Sequence, residues 1–175
     1  MKNIFSKTIA NLRESGNLKV TRQTFSNQII FDQSIQCGQF TSIKFLNSDF
    51  KNIDFTGSDF VDCLFENCTF ENVTFSKCQY WNCTIKKTTF SNSALTRSEF
   101  TLSFFENSRF FRSDLQATDF SECKFKEVTS WSSNLDLILV FDIQFWNSKK
   151  WINLENPDQF KNLLKDNTDG PEKIF

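Results

Sequence analysis

The chain has 175 residues, is 39% hydrophobic and carries a net charge of −1, which fits a single compact domain. Near-neutral charge argues against bulk nucleic-acid binding, which wants a basic surface, so direct contact with nucleic acid is not expected. No stretch approaches the roughly 18 consecutive apolar residues of a membrane span. With no His and only four Gly, the usual general base, mixed metal sites and Gly-rich phosphate loops are missing, so neither an enzyme nor a cofactor is expected.

At the N-terminus, Phe5, Ile9 and Leu12 fall at helical spacing with Gly16 as a stop. Residues 3–15 are therefore expected to form a short helix or an irregular lid, inside a cap segment of residues 1–19. Met1 to Arg13 lacks the uninterrupted apolar core of a signal peptide, so the expected location is cytoplasmic.

From Phe25 to Phe145 every fifth residue belongs to one series: of its 25 positions, 16 are Phe and only Ser130 is not a large apolar side chain. A helix needs apolar residues at about 3.6 and a half-buried strand at two, so a period of five means that one small backbone unit turns and stacks. Two residues before each centre lies a second column of small or β-branched residues, among them Ser48, Cys63, Cys68, Val73, Cys78, Cys83 and Ser98. The other three positions are mostly polar. Two columns therefore point inward and three outward.

These units resemble the pentapeptide-repeat proteins, whose repeat is a small residue, any residue, a central Leu or Phe, and two more. Ser48-Asp49-Phe50-Lys51-Asn52, Ser58-Asp59-Phe60-Val61-Asp62 and Cys68-Thr69-Phe70-Glu71-Asn72 are clear copies. Gln23, Gln28 and Gln33 depart from the pattern, being too large for the small position, as does Ser130 at a centre. The resemblance implies an all-β solenoid, a right-handed quadrilateral β-helix with four five-residue sides per coil and about six coils over residues 20–147. At about 4.8 Å per coil the rod would be roughly 30 Å long.

Residues 20 apart then share a side. The side centred on Phe40, Phe60, Tyr80, Phe100, Phe120 and Val140 carries Asp59, Asp62, Glu99, Asp119, Glu122 and Asp142 with no Lys or Arg, and Trp81 lies among them. The next side mixes Lys44, Lys86, Lys87, Lys124 and Lys126 with Glu66, Glu106 and Glu127. Asn at 27, 47, 67 and 107, and at 52, 72 and 92, is expected to form amide ladders along the rod. Five of the six cysteines sit in the small inward column as small apolar side chains, and Cys63 and Cys83 should stack in adjacent coils as free thiols suited to a reducing compartment. Cys37 falls in an outward column.

Past the repeat, residues 148–175 read as a C-terminal cap and tail. Asn156, Pro157 and the stripe Phe160, Leu163, Leu164 have the N-cap, first-turn Pro and apolar spacing of a short capping helix. Leu137, Leu139, Phe141, Trp146 and Trp151 are unusually apolar for outward positions, and the helix is expected to fold back over them; otherwise they offer a homodimer interface, as the resemblance implies. The functional expectation is a non-catalytic binding or scaffolding module that presents flat outer faces to an unidentified protein partner. The alternative comes from gyrase-protecting members proposed to imitate a DNA duplex: a modulator of a type II topoisomerase acting through the acidic side. Six carboxylates over roughly 20 Å are sparse beside a duplex with a charge per about 1.7 Å.

Overall fold

The computed structural model describes residues 4–14, 18–154 and 156–164. From Lys19 to Trp146 the chain winds as a parallel β-solenoid of about six coils, and the strand partners are 20 residues apart throughout: Val20 with Phe40, Phe40 with Phe60, Phe60 with Tyr80. The first wall is a seven-stranded sheet from Lys19–Thr21 to Leu139–Phe141. The second, from Thr24–Ser26 to Ile143–Trp146, gains Trp151–Leu154 as an antiparallel edge strand. The third is a six-stranded sheet ending at Thr129–Trp131.

The fourth wall is a ladder of single bridges, Asp54 to Thr74, Ala94, Asp114 and Asn134. Its chain is pulled into tight turns instead of strands. The N–H of Ser58 donates to Phe55 O at 2.9 Å, and Cys78, Ser98 and Thr118 repeat the bond one coil apart. Asp54, Asp114 and Asn134 reinforce these turns by accepting the N–H two residues on.

The period of five has a backbone cause. From Arg22 to Asp142 the residue two after every centre has positive φ, between 47° and 59° except for Gly57 at 69°. That left-handed residue makes each corner. Asn, Asp and Gly tolerate it best, so the Asn columns serve the corners first and form ladders only in part: Asn67 donates to Asn47 Oδ1 at 2.8 Å and Asn72 to Asn52 Oδ1 at 3.4 Å, while Asn92 donates to Ser91 Oγ.

The small column also does more than save space. The N–H of Cys83 donates to Ser103 Oγ at 3.1 Å and that of Val73 to Ser93 Oγ at 3.2 Å, while Ser93 Oγ donates in turn to Phe70 O. A hydroxyl here satisfies a corner amide beyond reach of the strand ladder.

Inside, rings stack along each wall, as in Phe40–Phe60 at 5.0 Å, Phe60–Tyr80 at 4.9 Å and Tyr80–Phe100 at 4.2 Å, and meet edge-to-face across corners, as in Phe60–Phe65 at 5.6 Å and 67°. Both ends of this spine are plugged the same way. Helix α1 (Ile4–Glu14) drives Phe5 against Phe25 and Phe45, over a first coil whose other centres are the smaller Val20, Ile30 and Ile35. Helix α2 (Pro157–Leu164), capped by Asn156 Oδ1 accepting the N–H of Gln159 at 3.0 Å, drives Phe160 onto Phe120 and Phe125 at 5.4 and 4.7 Å. Ser130 and Val140 leave it room. The breaks in the register are thus the seats of the plugs.

Two of the three oversized glutamines belong to the same device: Gln28 Oε1 accepts the N–H of Ile4 at 2.8 Å, and Gln33 donates to Ser6 Oγ, whereas Gln23 is exposed. Gly16, expected as the helix stop, lies outside the described residues.

Candidate functional site

The first wall holds every acidic residue expected of it, in two columns. Asp59, Glu99 and Asp119 stand before the centres, with Gln79 between Asp59 and Glu99 in register and Leu139 above Asp119. Asp62, Glu122 and Asp142 stand at the corner, where Asn82 donates to Asp62 Oδ1 at 2.7 Å. Between the columns runs the uncharged row Thr41, Val61, Trp81, Thr101, Ser121, Phe141. The wall starts one coil earlier than the series from Phe25 indicates, at Val20, and this adds Lys19 and Arg22 at its N-terminal end.

Trp81 is 53% exposed. Together with Asp59, Val61, Gln79, Glu99 and Thr101 it lines a shallow depression of about 280 Å³. Among the described residues no salt bridge falls on this wall, and Trp81 has neither a ring nor a cation against it.

The neighbouring walls differ. On the second, Glu106 bridges Lys86 at 3.1 Å and Lys126 at 2.9 Å, and those two hydrogen-bonded ammonium groups hold its carboxyl below the ordinary 4.5. Trp146 packs on Trp151 at 5.5 Å, and Lys124 lies 5.9 Å above the Trp151 ring. On the third, Lys51 pairs with Glu71 at 3.2 Å, Phe111 stacks on Trp131 at 4.9 Å, and the Arg112 guanidinium covers both rings at 5.0 and 5.4 Å. On these walls every Trp is covered, while Phe31 on the third remains 60% exposed.

The apolar residues near the C-terminus do not form one patch, because each quarter coil faces a new direction. Leu139 and Phe141 on the last coil of the first wall, with Leu137 at the corner before it, make an exposed strip, 58%, 68% and 69% exposed. Trp146 and Trp151 are a separate, self-packed pair on the second. Helix α2 does not fold back over the strip: Phe160 and Leu164 enter the end of the core and Leu163 faces outward. An open ring spine is a larger apolar surface than the strip, so the helix closes the spine.

All six cysteines are free thiols. Burial pushes Cys68, Cys78 and Cys123 up to about 12 and Cys83 well above its ordinary value, which leaves them inert; Cys37 is exposed. Among the described residues no group of three or more His, Cys, Asp or Glu could hold a metal ion, and no helix is long and apolar enough to cross a membrane.

The family model for the SV2A/B/C luminal domain matches residues 19–111, more than half of the chain. The chain belongs to that family. Its repeat is the pentapeptide repeat, and solved pentapeptide-repeat proteins are similar to it. QnrB1, a plasmid-mediated fluoroquinolone resistance protein, is 18% identical over 69% of each chain with a TM-score of 0.46. Rfr23 from the cyanobacterium Cyanothece 51142 is 9% identical over 81% of this chain and 96% of its own, with a TM-score of 0.37. A pentapeptide-repeat protein from the Arabidopsis thaliana thylakoid lumen is 17% identical over 61% and 66%, with a TM-score of 0.32. No curated protein matches the sequence.

Proposed function

We propose that this pentapeptide-repeat chain is a non-catalytic module that binds a protein partner through its first wall. One contrast carries the reading: every Trp on the second and third walls is covered by a cation or another ring, whereas Trp81 on the first stands open in a row flanked by Asp59 and Glu99. Solvated carboxylates alone would keep a rod soluble; an uncovered indole among them costs solvation without any return to the fold. The flat wall gives acid–base chemistry no enclosed pocket, which supports a binding role over a catalytic one.

The test is capture of partners from the native cell by the wild type and by a variant carrying Asp59→Asn, Trp81→Ala and Glu99→Gln, with circular dichroism to confirm that both are β-rich. A partner retained by the wild type and lost by the variant is the expected result; identical capture would sink the reading. Imitation of a DNA duplex is less well supported, because Gln79 and Asn82 interrupt both acidic columns, Lys19 and Arg22 start the wall, and Leu139 and Phe141 end it. That reading requires an effect on gyrase supercoiling at micromolar protein.

The exposed strip Leu137, Leu139 and Phe141 supports a second contact, a homodimer through the last coil. It should appear as a concentration-dependent mass in sedimentation and vanish with Phe141→Ser. The six free thiols, one of them exposed, favour a reducing, cytoplasmic setting.

A further inference from the structure

We infer that the depression on the first wall takes an arginine side chain of the partner protein, with its guanidinium lying on the Trp81 indole and the carboxylates of Asp59 and Glu99 to either side; this rests on the first wall being the binding surface proposed above. The spacing comes from the register. Asp59 and Glu99 flank Gln79 at one strand to each side, so they stand about 10 Å apart, and Trp81 lies two residues along from Gln79 on the same outward side, about 7 Å away. The neighbours of Trp81 in its own row, Val61 and Thr101, are short, which leaves the indole open above the sheet.

The molecule itself shows what covers such a ring. Of its four Trp, Trp131 lies under Arg112, Trp151 under Lys124, and Trp146 packs on Trp151. Trp81 alone among them has no such neighbour among the described residues. Lys19 and Arg22 are three coils away, about 14 Å along the rod, and Lys77 and Arg97, at the corner that leads into Gln79 and Glu99, do not lie over the ring.

Two carboxylates beside the ring select a positive charge over a neutral one, and the planar guanidinium satisfies both features at once: its face stacks on the indole and its edge donates to a carboxylate. An ammonium group can do only one at a time. Arginine is therefore favoured over lysine.

The test uses fluorescein-labelled hexa-arginine and hexa-lysine peptides, with anisotropy measured at about 0.15 M salt. Hexa-arginine should bind about tenfold more tightly than hexa-lysine. Trp81→Ala should abolish that preference, Trp81→Phe should keep part of it, and Asp59→Asn with Glu99→Gln should weaken both peptides. Circular dichroism on each variant confirms the fold. Equal affinity of the two peptides with no effect of Trp81→Ala would mean diffuse attraction to an acidic wall and would overturn the inference. So would quenching of Trp81 fluorescence by maltoheptaose in place of the peptides, which marks a sugar platform. If the peptides fail while a captured partner is still lost on Trp81→Ala, the binding wall stands and the arginine inference falls; if both fail, the wall falls too.

Discussion

Tyr80 and Ser130 are the two centres with a polar side-chain atom, and the hydroxyl of each is buried without a hydrogen-bond partner; the Tyr80 hydroxyl is the one inside the ring spine. Tyr80 shares the lining of a core gap with Phe65, Phe70, Phe75, Phe90 and Ile85, where the shorter Ile85 gives room for the extra oxygen but not for a water. An orphaned buried hydroxyl costs about 1–3 kcal/mol. Tyr80→Phe should therefore raise the melting temperature, with a gain of about 1 kcal/mol in denaturant unfolding. Corners offer a second site of strain, since Leu102 holds φ at 54°, which costs a side chain other than Asn, Asp or Gly about 1–2 kcal/mol. Leu102→Asn should stabilise by up to that amount, read from the same unfolding curves, because the side chain it removes is partly exposed and packs little.

The coil was legible from the spacing of Phe25 to Phe145 because side-chain direction repeats in the sequence, and so were the amide ladders at Asn47 and Asn67. The left-handed corner was not, since Arg22, Cys37, Lys77 and Glu127 occupy it beside the expected Asn. A backbone dihedral forced by stacking leaves only a weak mark on residue choice. The hydroxyl bonds of Ser93 and Ser103 leave no mark in the sequence for a related reason: Ser and Cys are alike in size, so the column reads as a size preference alone. Gln28, Gln33 and Ser130 break the repeat pattern, and those breaks mark the capping helices they seat. Those helices set local stability, because a solenoid couples each coil only to its neighbours. Phe160→Ala removes ring contacts worth about 3–5 kcal/mol. Hydrogen exchange should accelerate over residues 119–146 and stay unchanged over 39–86; acceleration along the whole rod would contradict this.

Over the whole molecule the walls divide electrically, and pH should read that division. Glu106, held below 4.5 by Lys126 and Lys86, contributes stability that is complete above its unfolded value and is lost as pH falls through the lower folded one. The stability gap between wild type and Glu106→Gln should thus be constant from pH 7 to about 5 and close on further acidification. For a surface network it should be at most about 1 kcal/mol and shrink in salt. A gap that widens with acid would rule this out. The unbroken 20-residue coil has one more consequence. It turns each wall into a ruler graduated at about 4.8 Å, on which any outward residue can be moved up or down one mark by exchanging positions 20 apart without disturbing the rings beneath. Swapping Trp81 with Thr101 would shift the indole by a single graduation, and a partner that measures the distance from the indole to Asp119 would feel that step while the fold would not.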